Sequence, residues 1–366
     1  MKILHVLYSG LGGHGNVFFS MVNADTTSVF EYEALFNGVE ELRTEYIERC
    51  KAHGIKWNFV KKKQGLDTEF YKNLVASIKK SDADIIFLHG STQVLWARLG
   101  ISLGQKKRRL VVRETQSNGL KTKQDWIWLT AALFLSNKIV FLTAAYQQEI
   151  RKKLSWVYTE KRTAVIANGI ELEKFKSSVK LHDGKLVIGM QSRIVKIKDH
   201  ATLLRAFALL LKDTDIPMQN IFLKIAGDGD NRKPMEELAA ELGIANKVIF
   251  TGMITENELV HFLDGLDIYI HASFGETMST AIMQAMAFKK PVIASNVPGI
   301  NNMIDDGATG ILVPVLDEQA MYTAMKKLIQ DPATISKLSA NARAYAETHF
   351  SNQAMFEKYK ILFTSP

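Results

Sequence analysis

One cysteine in 366 residues, Cys50, leaves no internal disulfide to be formed. This fits a reducing compartment, with the cytoplasm as the expected location. Long hydrophobic runs are also lacking. The longest, WIWLTAALFLS from Trp126 to Ser136, falls well short of the ~20 residues that cross a bilayer, so no transmembrane helix is expected. The opening MKILHVLYSG carries one lysine and a short apolar run ending in glycine. Without the longer apolar region and small-residue cleavage site of a secretory signal, it reads as a first buried strand. Zinc-ligand spacing, an RNP-like motif and an aromatic-basic repeat are missing too, which argues against a nucleic-acid partner.

What is present is a globular composition, 47% hydrophobic and 23% charged, on a chain long enough for two cores. The net charge of +8 is uneven: residues 1–180 hold 28 Lys+Arg against 17 Asp+Glu, and the remainder 18 against 21. The excess gathers in KKK (Lys61 to Lys63), KKRR (Lys106 to Arg109) and RKK (Arg151 to Lys153), the last with interleaved apolar residues in YQQEIRKKLSWVY. Such a surface is either ordinary solvated charge or one attracted to anionic lipid, with nucleic acid the weakest of the three readings.

Short β-branched runs alternate with helical patterns: KILHVLYS, DIIFLHG, RLVVRE and KIVFLT before position 170, then LVIGMQS, IFLKIAG, KVIFTG, LDIYIHAS, PVIASN and GILVPV. This alternation predicts parallel sheets with right-handed crossovers, in two doubly wound α/β domains. An Asn-Gly turn and polar linker put the boundary near residue 180. The expected domains are 1–180 and 181–350, each Rossmann-like. The amphipathic 351–366 is expected to cross back onto the first. Ligands of open α/β sheets bind at the carboxyl ends of the strands, here in the cleft between facing domains.

Each candidate motif follows a strand. In GLGGHG, Gly10, Gly12 and Gly15 satisfy G-x-G-x-x-G, a weak dinucleotide signal that a tight strand-to-helix turn explains equally well. In QSRIVKIKDH, Arg193 and Lys198 lie five positions apart; an arginine fork and a lysine point charge suit a diphosphate, and either residue alone suits a structural salt bridge. In HASFGETMSTAIMQAMA, Ser279 and Thr280 open a helix whose free amides can bind phosphate. Glu276, just before it, can accept from sugar hydroxyls. Gln284, further along, faces the same way if the helix starts near Thr280; otherwise it is a residue on a polar helix face. GDGD (Gly227 to Asp230) contains a D-x-D, a carboxylate spacing that can hold Mn²⁺ or Mg²⁺.

Together these motifs resemble the retaining glycosyltransferases of the two-Rossmann GT-B type, specifically family 4. The resemblance rests on Gly12 and Gly13, NGIELEKF from Asn168, Arg193 with Lys198, IAGDGD from Ile225, FTGMI from Phe250, Glu276, and QAMAFKKPVIAS from Gln284. It implies a GT-B fold in which 1–180 binds the acceptor and 181–350 the nucleotide sugar, and transfer of a hexose or N-acetylhexosamine, from a UDP-sugar in preference to a GDP-sugar, to a glycan or lipid-linked acceptor in cell-envelope polysaccharide synthesis. By the resemblance, Arg193 and Lys198 bind the diphosphate with the amides around Ser279, Thr280 and Ala281. Glu276 holds the donor sugar, Met253 sits beside the base, and Gly12 and Gly13 approach the donor. GDGD then matches a family turn, and no metal or other cofactor is expected. An anionic membrane surface, met by the basic first domain on the inner face of the plasma membrane, is an implied partner.

Two departures stand out. Gln284 replaces the second glutamate of the family motif, the acceptor from ribose hydroxyls; an amide carbonyl still accepts one such bond. Glu114 and Thr115 stand where many relatives have a histidine, so the acceptor-side candidates are His89 and Glu114. These departures keep a catalytically impaired nucleotide-sugar-binding module as an alternative, and the glycine spacing keeps a nicotinamide oxidoreductase.

Overall fold

The computed structural model describes residues 1–10, 13–175, 185–216 and 220–365. The chain divides into two compact units, Met1–Ile170 with Asn352–Pro366, and Glu171–Ser351. The boundary expected near residue 180 lies outside the described residues.

The first unit runs β1 (Lys2–Tyr8), α1 (Gly13–Ala24), β2 (Glu31–Gly38), α2 (Thr44–Ala52), β3 (Lys56–Lys61), α3 (Thr68–Lys80), β4 (Ile85–Leu88), α4 (Val94–Ser102), β5 (Arg109–Arg113), α5 (Lys123–Leu135), β6 (Lys138–Phe141), α6 (Ala144–Lys153) and β7 (Thr163–Val165). Its seven strands lie in the order β3-β2-β1-β4-β5-β6-β7, all parallel. Strands buried on both faces need no alternation, and β4 is the plain case, IIFL with every residue buried. Alternate strand residues feed two cores. Leu4, Val6, Ile86, Leu88, Val112 and Phe141 meet α3, α4, α5 and α6, while Ile3, Phe87, Val111 and Val140 face α1 and the terminal helix.

The second unit runs β8 (Leu186–Gln191), α7 (His200–Lys212), β9 (Ile221–Ala226), α8 (Arg232–Glu241), β10 (Val248–Gly252), α9 (Glu256–Asp264), β11 (Ile268–His271), α10 (Thr280–Ala287), β12 (Val292–Ser295), β13 (Ile311–Val313), α11 (Glu318–Gln330) and α12 (Pro332–His349). Its parallel sheet has the order β10-β9-β8-β11-β12-β13. Helix α13 (Asn352–Thr364) belongs to the first unit, where Phe356, Tyr359 and Phe363 are buried against Phe30 and Phe87. Arg109, at the start of β5, donates to the carbonyls of Leu362, Phe363 and Ser365 and closes the end of α13.

Both sheets reverse winding direction once, between β1 and β4 and between β8 and β11. At such a switch point adjacent loops part at the carboxyl edge and leave a crevice for a ligand.

Two strands escape the sequence reading. β2 (EYEALFNG) alternates charge with apolar residues at its start, and β3 (KWNFVK) is an edge strand exposed along most of its length. Neither needs the apolar run that marks a central strand.

Candidate active site

In the second unit the switch point carries a dense polar cluster. The loop after β8 brings in Arg193 and Lys198; the loop after β11 brings in Glu276. The two loops are stitched together: Asp199 N donates to Ala272 O (3.2 Å), Phe274 N to Ile197 O (2.9 Å) and Ser273 Oγ to Ile197 O (3.2 Å). Asp199 also caps α7, its carboxylate accepting from Thr202 N (3.2 Å), which fixes the far end of the lysine loop.

The Lys198 ammonium touches the Glu276 carboxylate. Burial and the neighbouring Arg193 push Lys198 down to about 7, while the touching carboxylate favours its charged form. Arg193 is exposed, and among the described residues its guanidinium has no ion-pair or hydrogen-bond partner. The site thus holds one cation already neutralised and one open to an anionic ligand.

Between them sits a residue that sequence reasoning missed. The buried ring of His271, the last residue of β11, has Nε2 2.9 Å from Glu276 Oε1, 3.4 Å from Lys198 Nζ and 3.4 Å from Ser279 Oγ. Its Nδ1 lies 3.3 Å from the Tyr269 hydroxyl, which is 3.2 Å from Gln191 O. Burial, Lys198 and His200 hold the ring neutral. A neutral ring with its proton on Nε2 donates to Glu276, so the strand end orients the carboxylate, while the Tyr269 hydroxyl gives its one proton to Gln191 O. The sequence signal was there, a histidine closing an apolar strand five positions before the glutamate, but no motif marks it.

Two glycines set the backbone around the cluster. At Gly227, with φ of +136°, a Cβ would lie 1.9 Å from Ser192 O, so the GDGD turn presses directly on the arginine loop. At Gly299, with φ of +96°, a Cβ would lie 2.2 Å from Glu276 O; only glycine fits such an approach. In that turn the Asp228 carboxylate is occupied by Arg232 Nη1 (3.3 Å) and Gly229 N (2.8 Å).

Ser279 is the N-cap of α10, its hydroxyl accepting from Ile282 N (3.4 Å), and Thr280 is the first helical residue. The Ser279 amide is directed at Met303 Sδ (3.2 Å), so the helix opens toward the site through the amides of Thr280 and Ala281, which have no preceding turn to accept them. Gln284 is buried in the body of α10, as its position one turn beyond Thr280 requires. Met253 stands exposed just after β10.

In the first unit the acceptor-side candidates are enclosed. His89 is buried, with Nε2 3.1 Å from His5 Nδ1 and Nδ1 3.4 Å from Arg113 Nη1. Burial and these neighbours hold it neutral. Glu114 is buried in an ion pair with Lys121 Nζ (3.1 Å) and accepts from Gln116 N (3.1 Å). Arg113, also buried, reaches the Asn168 side-chain carbonyl and so ties β5 to the Asn-Gly turn. Half-buried His14 is a further residue the sequence reading passed over, its Nε2 lying 3.2 Å from Thr115 Oγ1. In the glycine loop, a Cβ on Gly10 would collide with Glu40 and one on Gly15 with Tyr46, whereas one on Gly13 would meet open space. Packing therefore accounts for Gly10 and Gly15 without a dinucleotide, and Gly13 is the glycine open to a ligand; Gly12 lies outside the described residues.

Known proteins resemble this chain in sequence and in fold. The alpha-monoglucosyldiacylglycerol synthase of Streptococcus pneumoniae is 36% identical over 43% of the chain and 37% of that protein. The lipopolysaccharide core biosynthesis glycosyltransferase LpsD of Rhizobium meliloti is 32% identical over half of each. The chain thus spans half or less of the length of these two relatives. Anabaena HepE, solved in complex with UDP and glucose, superposes with a TM-score of 0.83 over the whole of both chains at 19% identity, a likeness of fold. The two parallel-sheet units are those of the GT-B architecture. Residues 172–347, nearly the whole of the second unit, match the family described as glycosyl transferases group 1.

Proposed function

We propose that the chain is a retaining glycosyltransferase that moves a hexose or N-acetylhexosamine from a UDP-sugar to a glycan or lipid-linked acceptor of the cell envelope. One observation carries this reading: Arg193, Lys198 and Glu276 converge at the β8/β11 switch point beside the start of α10. Relatives named for glycolipid and lipopolysaccharide synthesis, and a structural neighbour bound to UDP and glucose, support the choice of donor and acceptor.

In this reading the diphosphate displaces the Lys198–Glu276 contact. Arg193, Lys198 and the α10 amides then face the charge that grows on the leaving phosphate as the bond to the anomeric carbon breaks. Glu276, released from Lys198 and oriented by His271, accepts from donor-sugar hydroxyls. Met253 lies beside the base, and Gln284 offers one amide carbonyl to the ribose. The acceptor oxygen attacks the face the phosphate leaves, and its proton passes to the departing phosphate oxygen, so the anomeric configuration is kept. The basic first unit holds the enzyme at an anionic membrane surface.

The test is a screen of the purified chain against UDP-hexoses, UDP-N-acetylhexosamines, GDP-sugars and NAD, reading thermal shift and slow donor hydrolysis. Stabilisation and hydrolysis with a UDP-sugar are expected. Arg193→Ala and Lys198→Ala should each weaken donor binding by roughly 10²-fold or more, since one charge of a desolvated diphosphate site is worth a few kcal/mol. Binding without turnover of any donor would favour the impaired module, for which Gln284 is the specific motive.

A further inference from the structure

Helices α4 and α5 are neighbours on one face of the first sheet, and both break the rule that the outward side of such a helix is polar. Helix α4 buries Val94, Ala97 and Ile101 against the sheet, yet Leu95, Leu99 and Leu103 project outward at four-residue spacing, the last of them 52% exposed. Helix α5 buries Leu129, Ala132 and Leu133 and exposes Ile127 (65%) and Phe134 (55%). From Trp126 to Leu135 it carries no charge. Trp156, in the turn after α6, is 69% exposed and extends the surface, its ring 5.7 Å from that of Phe134.

The border of this surface is mostly cationic. Residues 91–135 contain eight Lys+Arg and two acids, Glu114 and Asp125. Both acids are engaged within the chain, Glu114 with Lys121 and Asp125 with Thr122 and Gln116 at the start of α5. Arg98, Lys107, Lys123 and Lys152 remain exposed, and Lys153 Nζ lies 3.8 Å from the centre of the Trp126 ring.

We propose that α4, α5 and the Trp156 turn form an insertion face that seats the first unit in the headgroup layer of an anionic bilayer. This deepens the reading above, from which it takes its purpose, access to a lipid-linked acceptor. Outward leucines, phenylalanine and tryptophan ringed by lysine and arginine match the interfacial layer, where apolar side chains enter the acyl boundary and cations meet lipid phosphates. A protein partner would call for a balanced rim; this one is mostly cationic, and its exposed acids Glu149 and Glu160 are engaged by Asn118 and Arg151. Insertion differs from simple charge attraction in a measurable way, because buried apolar area is not screened by salt.

The experiment compares co-sedimentation with phosphatidylglycerol-rich and phosphatidylcholine vesicles at about 0.1 and 0.5 M salt, alongside quenching of tryptophan fluorescence by brominated acyl chains. The wild-type chain should bind the anionic vesicles, keep part of that binding at high salt, and be quenched. Ile127→Ser with Phe134→Ser should weaken binding about tenfold or more with melting temperature retained, and Trp156→Phe should remove most of the quenching. The face is disproved by absent co-sedimentation with anionic vesicles at low salt, by binding that Lys152→Glu with Lys153→Glu abolishes but the apolar pair leaves unchanged, or by a wild-type dimer that the apolar pair turns into a monomer. Donor hydrolysis measured without lipid keeps the two readings apart. Hydrolysis without vesicle binding sinks the face alone; vesicle binding without nucleotide-sugar turnover sinks the transferase alone.

Discussion

His271 shows how one buried ring can serve two opposite charges. It contacts both Lys198 and Glu276, which also contact each other, and the carboxylate favours the charged lysine against burial and Arg193. Glu276→Gln removes that opposition. Lys198, already pushed down to about 7 by burial and Arg193, should then lose its proton at a lower pH than in the wild type. Because the neutral amine does not attract a diphosphate, the fall in UDP affinity with rising pH, up to about tenfold per unit, should begin at a lower pH in the variant than in the wild type. Calorimetric titration at three pH values decides this, and parallel curves for the two proteins would refute it. Gly299→Ala is the second residue-scale test. Its Cβ must push the Glu276 backbone aside, and a shift of ~1 Å at a positioned group costs on the order of 10²-fold in rate. Transfer should drop by that much with UDP binding kept; wild-type turnover would show that the turn yields without moving the carboxylate. The cations and Glu276 were legible in sequence because their chemistry is carried by type and by place after a strand. His271 and Gly299 were not, since one acts from a buried strand end and the other across 23 positions of chain.

Among the elements, central strands announced themselves and peripheral ones did not. β4, β11 and β12 are buried along their full lengths and read as apolar runs, whereas β2 and β3 are recognisable only through the neighbours they pair with. Helix α13 was legible as an amphipathic segment, but the guanidinium that closes its end was not: Arg109 reads in sequence as one member of a basic cluster. In the fold it is a cap spanning 254 positions to the Phe363 carbonyl. Arg109→Ala should therefore cost about 2 kcal/mol, as expected for charge-assisted bonds to carbonyls, and Lys107→Ala, on an exposed neighbour, nearly nothing. Guanidinium unfolding midpoints measure the difference. Equal midpoints would place Arg109 with the solvated charge after all. His89 and Glu114 also belong to this scale, since each joins loops or strands from inside, and the sequence could not distinguish a strand-end acid or base from a buried tie.

Across the whole molecule, buried histidines are spread over both units and tune acid stability. Burial pushes His5 down to about 3 and His200 to about 4, and His89 and His271 are likewise held neutral. The unfolded chain takes up protons at these positions below pH 6.5 while the folded chain does not, so their contribution is whole above 6.5 and is lost as pH falls toward 3 to 4. Each contributes about a tenfold shift in the folding equilibrium per pH unit in that window. The melting temperature should drop steeply from pH 6.5 to 4.5, less steeply in a His5→Phe variant; a flat profile would mean that these rings find compensating partners once charged. The same global view gives α13 a further meaning. It supplies part of the core of the first unit, yet it follows the whole second unit in the chain. During synthesis, when domains ordinarily fold as they emerge, the first unit must wait with Phe30 and Phe87 uncovered until the second has been made. The half of the protein that leaves the ribosome first is thus the half completed last, and it is there that a nascent chain would expose its surface to chaperones.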